Sequence, residues 1–139
     1  MELEYIKSHW INRQISDVSK NINAWDSVAE DYIYGGELSF DNDDFLKFMS
    51  QKIDITQDMS VLDVGCGAGA YSITLAGRAG QVVGVDFSPK MIAAAQSSAA
   101  REGIENVSFL QRDWYNCSGD EFKDRFDVAF AHTTPAVAD

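Results

Sequence analysis

Residues 61–69, which read VLDVGCGAG, constrain the fold more than any other part of the chain. The apolar residues at the start of this stretch are typical of a buried parallel strand. The three glycines allow the backbone to turn sharply and to approach a ligand closely. A helix should follow, with its first amides directed at whatever lies on the loop. Asp63 is unusual here, because a carboxylate near the end of a buried strand needs a partner.

Two further segments repeat this pattern of an apolar strand that ends at an acid. Residues 81–86 read as a strand ending at Asp86, about 20 residues after the first glycine, where a carboxylate that binds ribose hydroxyls is expected. Ser88 can cap a helix that begins with proline at position 89. Residues 107–110 read as a third strand, which leads to Asp113 and Trp114 at its end.

The remaining elements complete an alternation of strands and helices. Apolar residues at steps of three and four between Ile11 and Tyr32 predict a helix with one apolar face, which glycines at 35 and 36 end. The acids at 41–44 favour the start of a second helix. We expect strands at 60–64, 81–86, 107–110 and 126–131, helices at 70–77 and 89–101, and a short helical turn at 119–123. This alternation predicts an α/β fold with a parallel sheet and right-handed crossovers.

Composition limits the classes of partner. The chain has 139 residues, 45% of them hydrophobic, and its length suits one domain with a real core. Its net charge of −11 argues against nucleic acid as the main partner, because phosphate binding needs a basic face. Two cysteines make neither a disulfide framework nor a zinc site, so we expect no metal. No apolar run is long enough to span a membrane and the N-terminus is not a signal peptide, so we expect a cytoplasmic protein without a membrane partner.

Over roughly residues 25–131, the chain resembles the class I S-adenosylmethionine (SAM)-dependent methyltransferases. Four segments carry this resemblance by their order and spacing: VLDVGCGAG, VVGVDFSPKMI, FLQRDW and FDVAFAH. The resemblance implies a Rossmann-like, doubly wound parallel sheet with strand order 3-2-1-4. It also implies that SAM is the cofactor, that S-adenosylhomocysteine (SAH) is the product, and that the methyl group passes directly to an acceptor. We expect a small-molecule acceptor, because the chain has an N-terminal helical segment and lacks basic patches.

The same resemblance assigns cofactor-binding positions. They are Tyr32, Asp63, Gly65, Cys66, Gly67, Gly69, Asp86, Phe87, Ser88, Met91, Asp113, Trp114 and Ala131. The glycine loop would lie under the methionine part of SAM. Asp63 and the carbonyl group of Ala131 would approach its ammonium group. Residues 1–53 would form a helical segment over the cofactor site, with Tyr32 as a lid, and residues 54–139 would form the SAM-binding core.

At the adenosine end, Asp86 would accept both ribose hydroxyls, because the two oxygens of a carboxylate match a vicinal diol. Phe87 and Met91 would flank the adenine, although a core role suits either equally well. Asp113 would accept from the adenine amino group, and the backbone amide of Trp114 would pair with a ring nitrogen.

Structural roles stay open for several of these residues. Ser88 is first a helix cap, and Trp25 fits the core as well as it fits a lid. Cys66 fits a small packing residue. His132 follows the fourth strand, where a general base near neutral pH would lie, but a lone loop histidine is more often not catalytic. The segment after that strand lacks the acid or amide motifs of the branches that modify amino groups and nucleic acids, which puts methylation of DNA bases in doubt.

Two other functions remain open on the sequence alone. A nicotinamide-dependent oxidoreductase fits the looser pattern Gly65-x-Gly67-x-x-Ala70 and the ribose acid, but does not explain Asp63. The second alternative is a module that binds SAM but does not catalyse a reaction. The sequence predicts only four strands where the family has seven, as expected of a truncated enzyme. The fourth strand would then be an apolar edge, which invites self-association.

Overall fold

The computed structural model describes residues 18–32 and 36–132, with side chains at 22–31 and 36–132. The elements are helix α1 (Val18–Val28), a 3-10 turn (Ala29–Tyr32), α2 (Asp44–Lys52), β1 (Ser60–Val64), α3 (Ala70–Ala76), β2 (Gln81–Asp86), α4 (Pro89–Arg101), β3 (Val107–Gln111), a second 3-10 turn (Gly119–Glu121) and β4 (Val128–Phe130). The part of the first predicted helix before residue 18, the side chain of Tyr32 and the glycine at 35 lie outside the described residues.

The four strands form one parallel sheet in the order β3-β2-β1-β4, which confirms the predicted topology. Val61 of β1 pairs with Val82 of β2 on one side and with Val128 of β4 on the other. Nearly every residue of β1 and β2 is buried, as expected for central strands covered on both faces. The carboxyl ends of all four strands therefore lie at one edge of the sheet, where the predicted site residues are.

Both described N-terminal helices pack on this core. Leu46 and Met49 of α2 belong to a buried cluster with Leu75 and Val82 on one face of the sheet. Ala29, the first residue of the 3-10 turn after α1, packs with Met91 on a different part of the core. The division of the chain after residue 53 stays a prediction.

Helices α2 and α4 begin at side-chain caps. The Asp43 carboxylate accepts from the Leu46 amide at 2.9 Å, and the Ser88 hydroxyl accepts from the Met91 amide at 3.1 Å. Pro89 stands at the first position of α4, as predicted, because its missing N–H would have no partner there. Helix α3 begins instead at Gly69 without a side-chain cap.

Strand β4 ends the sheet order and is shorter than predicted. Among the described residues its only strand partner is β1, so the apolar edge that the sequence predicted is present. Association of two copies through this edge stays a prediction, which light scattering on the purified chain tests. None of the described helices has the length and apolar character needed to cross a membrane.

Candidate functional site

The loop between β1 and α3 depends on its three glycines. Gly65, Gly67 and Gly69 have φ angles of 72°, 53° and 86°, a region that side chains disfavour. The amides of Gly65 and Cys66 donate to the Val85 carbonyl oxygen at 2.8 and 3.0 Å. The loop is therefore fixed against the end of β2, over the carboxyl edge of the sheet.

The surroundings of the glycines divide them into two kinds. A Cβ atom on Gly69 would lie 2.7 Å from Cζ of Phe109 and 3.0 Å from Cβ of Ala95, so this glycine allows close packing of α3. A Cβ atom on Gly67 would meet no atom of the described residues within 4 Å. Open space therefore lies beside the backbone of Gly67, as a loop that cradles a ligand requires.

Asp86 connects the glycine loop to the turn after β2. One carboxylate oxygen accepts from the Gly67 amide at 2.9 Å, and the other accepts from the Ser88 amide at 3.0 Å. Burial raises the pKa of Asp86, and the hydrogen bonds from backbone amides oppose that rise. With 9% of its surface exposed, Asp86 is not a solvated acid at a strand end. A carboxylate has about four lone-pair sites, so these amides leave capacity to accept from a ribose hydroxyl.

Asp63 is a buried acid on β1, and 3% of its surface is exposed. Its carboxylate accepts from the Ser72 hydroxyl at 2.7 Å. Burial raises the pKa of Asp63 from 3.8 to about 7; the Ser72 hydrogen bond opposes this rise and the charge of Asp86 adds to it. Because the folded state holds this proton more tightly than the unfolded state, Asp63 lowers stability as the pH rises from 3.8 to about 7. A cationic ligand nearby would instead favour the ionised carboxylate.

Met91 is buried, at 2% exposure, and packs with Ala29 and Ala68 under the end of α1. Trp25 is half-buried and joins the same cluster. These contacts favour the core role that the sequence left open for both residues. Phe87 is half-buried beside Ser88. Contact of Phe87 or Met91 with adenine stays a prediction, as does the lid role of Tyr32.

Asp113 caps a turn after β3. Its carboxylate accepts from the Tyr115 amide at 3.2 Å and from the side-chain amide of Asn116. The ring of Trp114 lies 5.7 Å from that of Phe122 and packs on the sheet face there. The roles of Asp113 and the Trp114 amide toward adenine stay predictions.

His132 belongs to an aromatic cluster and does not stand alone on a loop. Its ring stacks on Phe45 with centroids 4.1 Å apart and meets the edge of Tyr71 at 5.0 Å. The Tyr71 hydroxyl donates to the carboxylate of Asp43 at 3.0 Å. This arrangement favours packing over general-base chemistry for His132. Ala131, whose carbonyl was predicted to bind the ammonium group, is half-buried beside it at the end of β4.

Cys66 is 8% exposed, and burial raises the pKa of its thiol well above the ordinary value. Its sulfur would lie 2.9 Å from a Cβ atom on Gly84, which agrees with the expected packing role. Contact of Cys66 with the cofactor stays a prediction. Among the described residues, no group of three or more histidine, cysteine or acidic side chains could hold a metal ion.

Sequence reasoning missed Asp26 on α1. Its carboxylate accepts from the Ser88 hydroxyl and, at 3.3 Å, from the Lys90 amide. The only sequence signal was an acid directly after Trp25 in the segment that resembles a cofactor lid. Because Ser88 lies 62 residues away in sequence, no local pattern indicates the contact.

A family model described as a methyltransferase domain matches residues 55–139. Among curated proteins, the 23S rRNA (uracil(1939)-C(5))-methyltransferase RlmD of Alcanivorax borkumensis is 33% identical over 102 residues, which cover 61% of this chain and 23% of the relative. The chain thus spans about a quarter of the length of this relative.

Solved structures show the same fold. The YcgJ protein of Bacillus subtilis is 28% identical, with a TM-score of 0.55 over 62% of this chain and 36% of that chain. DhpI in its complex with SAM and HEP has a TM-score of 0.58 over 82% of this chain and 50% of that chain, at 22% identity. At that identity, the likeness to DhpI concerns the fold alone.

Proposed function

The chain belongs to the methyltransferase domain family, and we propose that it binds SAM at the carboxyl edge of its sheet and transfers the methyl group to a small-molecule acceptor. One observation carries the cofactor part of this proposal. The Gly67 backbone borders open space and is bonded to Asp86, so a ligand on the loop would meet a carboxylate that still has free lone pairs.

The residues present fit the cofactor. Asp63 and Asp86 supply two carboxylates at neighbouring strand ends, which suits a ligand with a cationic amino-acid part and a ribose diol. SAM supplies a sulfonium-bound methyl group that is already a good electrophile. The work left to the protein is to bind and orient the two partners and to exclude water. The family match favours this function over the nicotinamide-dependent alternative.

For the acceptor, a small molecule is supported by the net charge of −11, which opposes binding of a phosphate backbone. RNA is the second candidate, because RlmD is named as an rRNA methyltransferase. Carbon C5 of uracil is a poor nucleophile, and its methylation needs a group such as a thiolate that first adds to the ring. Burial raises the thiol pKa of both Cys66 and Cys117, which disfavours the thiolate form of these two cysteines.

Calorimetric titration with SAM, SAH and NAD tests the cofactor assignment. We expect binding of SAM and SAH, no binding of NAD, and loss of binding in Asp86→Ala. Asp58→Ala removes an exposed acid from the turn before β1 and is the matched control, which should bind like the unchanged chain. Binding of NAD in place of SAM, or full SAH affinity in Asp86→Ala, would contradict the proposal.

The acceptor is tested separately, with methyl-labelled SAM and two sets of acceptors. One set contains small amines, alcohols, thiols and carboxylic acids, and the other contains ribosomal RNA. Label in a small molecule supports the proposal, and label in RNA overturns the small-molecule assignment. Binding of SAM without transfer to either set favours a binding module that does not catalyse.

A further inference from the structure

A continuous series of hydrogen bonds connects helix α1 to the glycine loop. The Asp26 carboxylate accepts from the Ser88 hydroxyl. The Ser88 amide donates to Asp86, and Asp86 accepts from the Gly67 amide. Each residue in this series lies on a different element or loop. A shift of α1 would therefore break the hydrogen bond between Asp26 and Ser88 in the turn after β2.

From this series we infer that Asp26 is a positioning residue, and that docking of α1 and binding of the cofactor favour each other. We call the contact of the Asp26 carboxylate with Ser88 and Lys90 the latch, because it holds α1 on the turn that follows Asp86. The inference rests on the proposed cofactor site. It assigns to α1 a role in affinity that does not require any side chain of the helix to touch the cofactor.

The chemistry at the latch suits a carboxylate. Asp26 accepts from two donors at the first turn of α4, the Ser88 hydroxyl and the Lys90 amide. A negative charge is favourable at this helix end, where several backbone amides have no partner within the helix. Ser88 donates its proton to Asp26 and uses its oxygen to accept from the Met91 amide. One hydroxyl thus caps α4 and holds α1 at once.

Apolar packing beside the latch adds a second contact between the N-terminal segment and α4. Ala29 lies one helical turn after Asp26 and is 2% exposed against Met91. Met91 lies in the capped first turn of α4 and donates its amide to the Ser88 hydroxyl oxygen, so its position depends on the same hydroxyl. When α1 separates, the latch and this small cluster open together, and the Ser88 side chain is free to turn away from the first turn of α4.

Linkage gives the size of the effect. If the cofactor binds only when α1 is docked, the apparent dissociation constant is the intrinsic constant divided by the docked fraction. A substitution that leaves α1 docked in about a tenth of the molecules therefore weakens binding about tenfold. By reciprocity, bound cofactor shifts α1 toward the docked state.

The test is SAH titration by calorimetry of Asp26→Ala, Ser88→Ala and the double variant, with hydrogen exchange of the α1 amides as the second readout. Asp26→Ala should weaken SAH binding about tenfold, and the double variant should bind no more weakly than Ser88→Ala alone. Saturating SAH should slow exchange of the α1 amides more in Asp26→Ala than in the unchanged chain, because it must dock a helix that is mostly undocked there. A merely structural role of Asp26 would not produce this difference.

Two further variants keep the test decisive. Ser27→Ala alters the neighbouring exposed residue, whose hydroxyl donates to the Ala24 carbonyl oxygen within its own helix turn, and should leave affinity unchanged. Asp26→Asn keeps an acceptor oxygen but loses the negative charge that favours this helix end, so it should weaken SAH binding about threefold. It serves if the alanine variant does not fold, and unchanged SAH affinity of Asp26→Asn would then overturn the inference. SAH affinity of Asp26→Ala within twofold of the unchanged chain, or a double variant in which the two losses add, overturns the inference.

Failure of the proposed function has a different signature. In that case the unchanged chain binds no SAH, and exchange is compared without ligand. Equal exchange of the α1 amides in Asp26→Ala and the unchanged chain then overturns the latch. Faster exchange of the α1 amides in Asp26→Ala would support the role of Asp26 in holding α1, and only the coupling to the cofactor would be overturned.

Discussion

Alanine at Gly67, Gly69 and Gly103 separates backbone strain from packing and from ligand binding. All three glycines have positive φ, at 53°, 86° and 68°, so each substitution costs about 1–2 kcal/mol of strain. At Gly67 and Gly103 the new Cβ atom meets nothing within 4 Å in the part of the chain that the structure describes. At Gly69 it would lie 2.7 Å from Phe109, and such overpacking costs about 1–3 kcal/mol more. Gly69→Ala should therefore lose about 2–5 kcal/mol of unfolding free energy.

Urea denaturation and SAH calorimetry on the same three variants give the answer. Gly67→Ala and Gly103→Ala should be equally destabilised, but only Gly67→Ala should bind SAH more weakly, by at least about tenfold, or 1.4 kcal/mol. Gly103 ends α4, far in sequence from the loop, and so controls for strain. Equal SAH affinities of the Gly67 and Gly103 variants would refute a ligand beside Gly67. A Gly69 variant as stable as the Gly103 variant would refute the packing argument.

Three other substitutions test separate parts of the site. Asp63→Asn should flatten the fall in stability between pH 4 and 7 and raise stability at pH 8 by at most about 4 kcal/mol. Urea midpoints across pH measure this, and an unchanged pH slope contradicts the raised pKa of Asp63. Gly84→Ala places a Cβ atom 2.8 Å from Phe109 and should lower the free energy of unfolding by about 1–3 kcal/mol in the same assay. Unchanged stability of this variant would contradict the packing argument. His132→Phe should preserve stability and methyl transfer because it keeps the aromatic stacking; a loss of transfer of about a hundredfold or more would restore the general base.

The architecture followed from local patterns. Apolar strands that end at Asp63 and Asp86, each followed by a helix, allow only a parallel sheet with one edge that collects the strand ends. The cap at Ser88 and the first helical position of Pro89 could also be predicted, because a cap and its helix are adjacent in sequence. Strand β4 was predicted at 126–131 but spans Val128–Phe130, and Phe126 instead packs its ring beside Phe122.

The contacts that give the site its detail were not predictable in this way. Asp26 with Ser88, and Phe45 with His132, each join elements far apart in sequence. Their geometry depends on how α1 and α2 pack on the sheet, and a pattern of apolar residues indicates which face is buried but not which neighbour it meets. The burial of Asp86 has the same origin, because its partner Gly67 belongs to another loop.

The pairing pattern of the sheet has a consequence for the order of assembly. Strands β1, β2 and β3 pair with their neighbours in sequence, each across a single helix, whereas β4 reaches β1 across the longest separation, with Ser60 and Asp127 bonded over 67 residues. Closing the longer loop costs more chain entropy and slows that step. We expect β4 to join last in refolding, after the glycine loop and Asp86 are already in contact. Pulse-labelled exchange would show protection of Val128–Phe130 lagging behind that of Gln81–Asp86, and simultaneous protection would contradict this order.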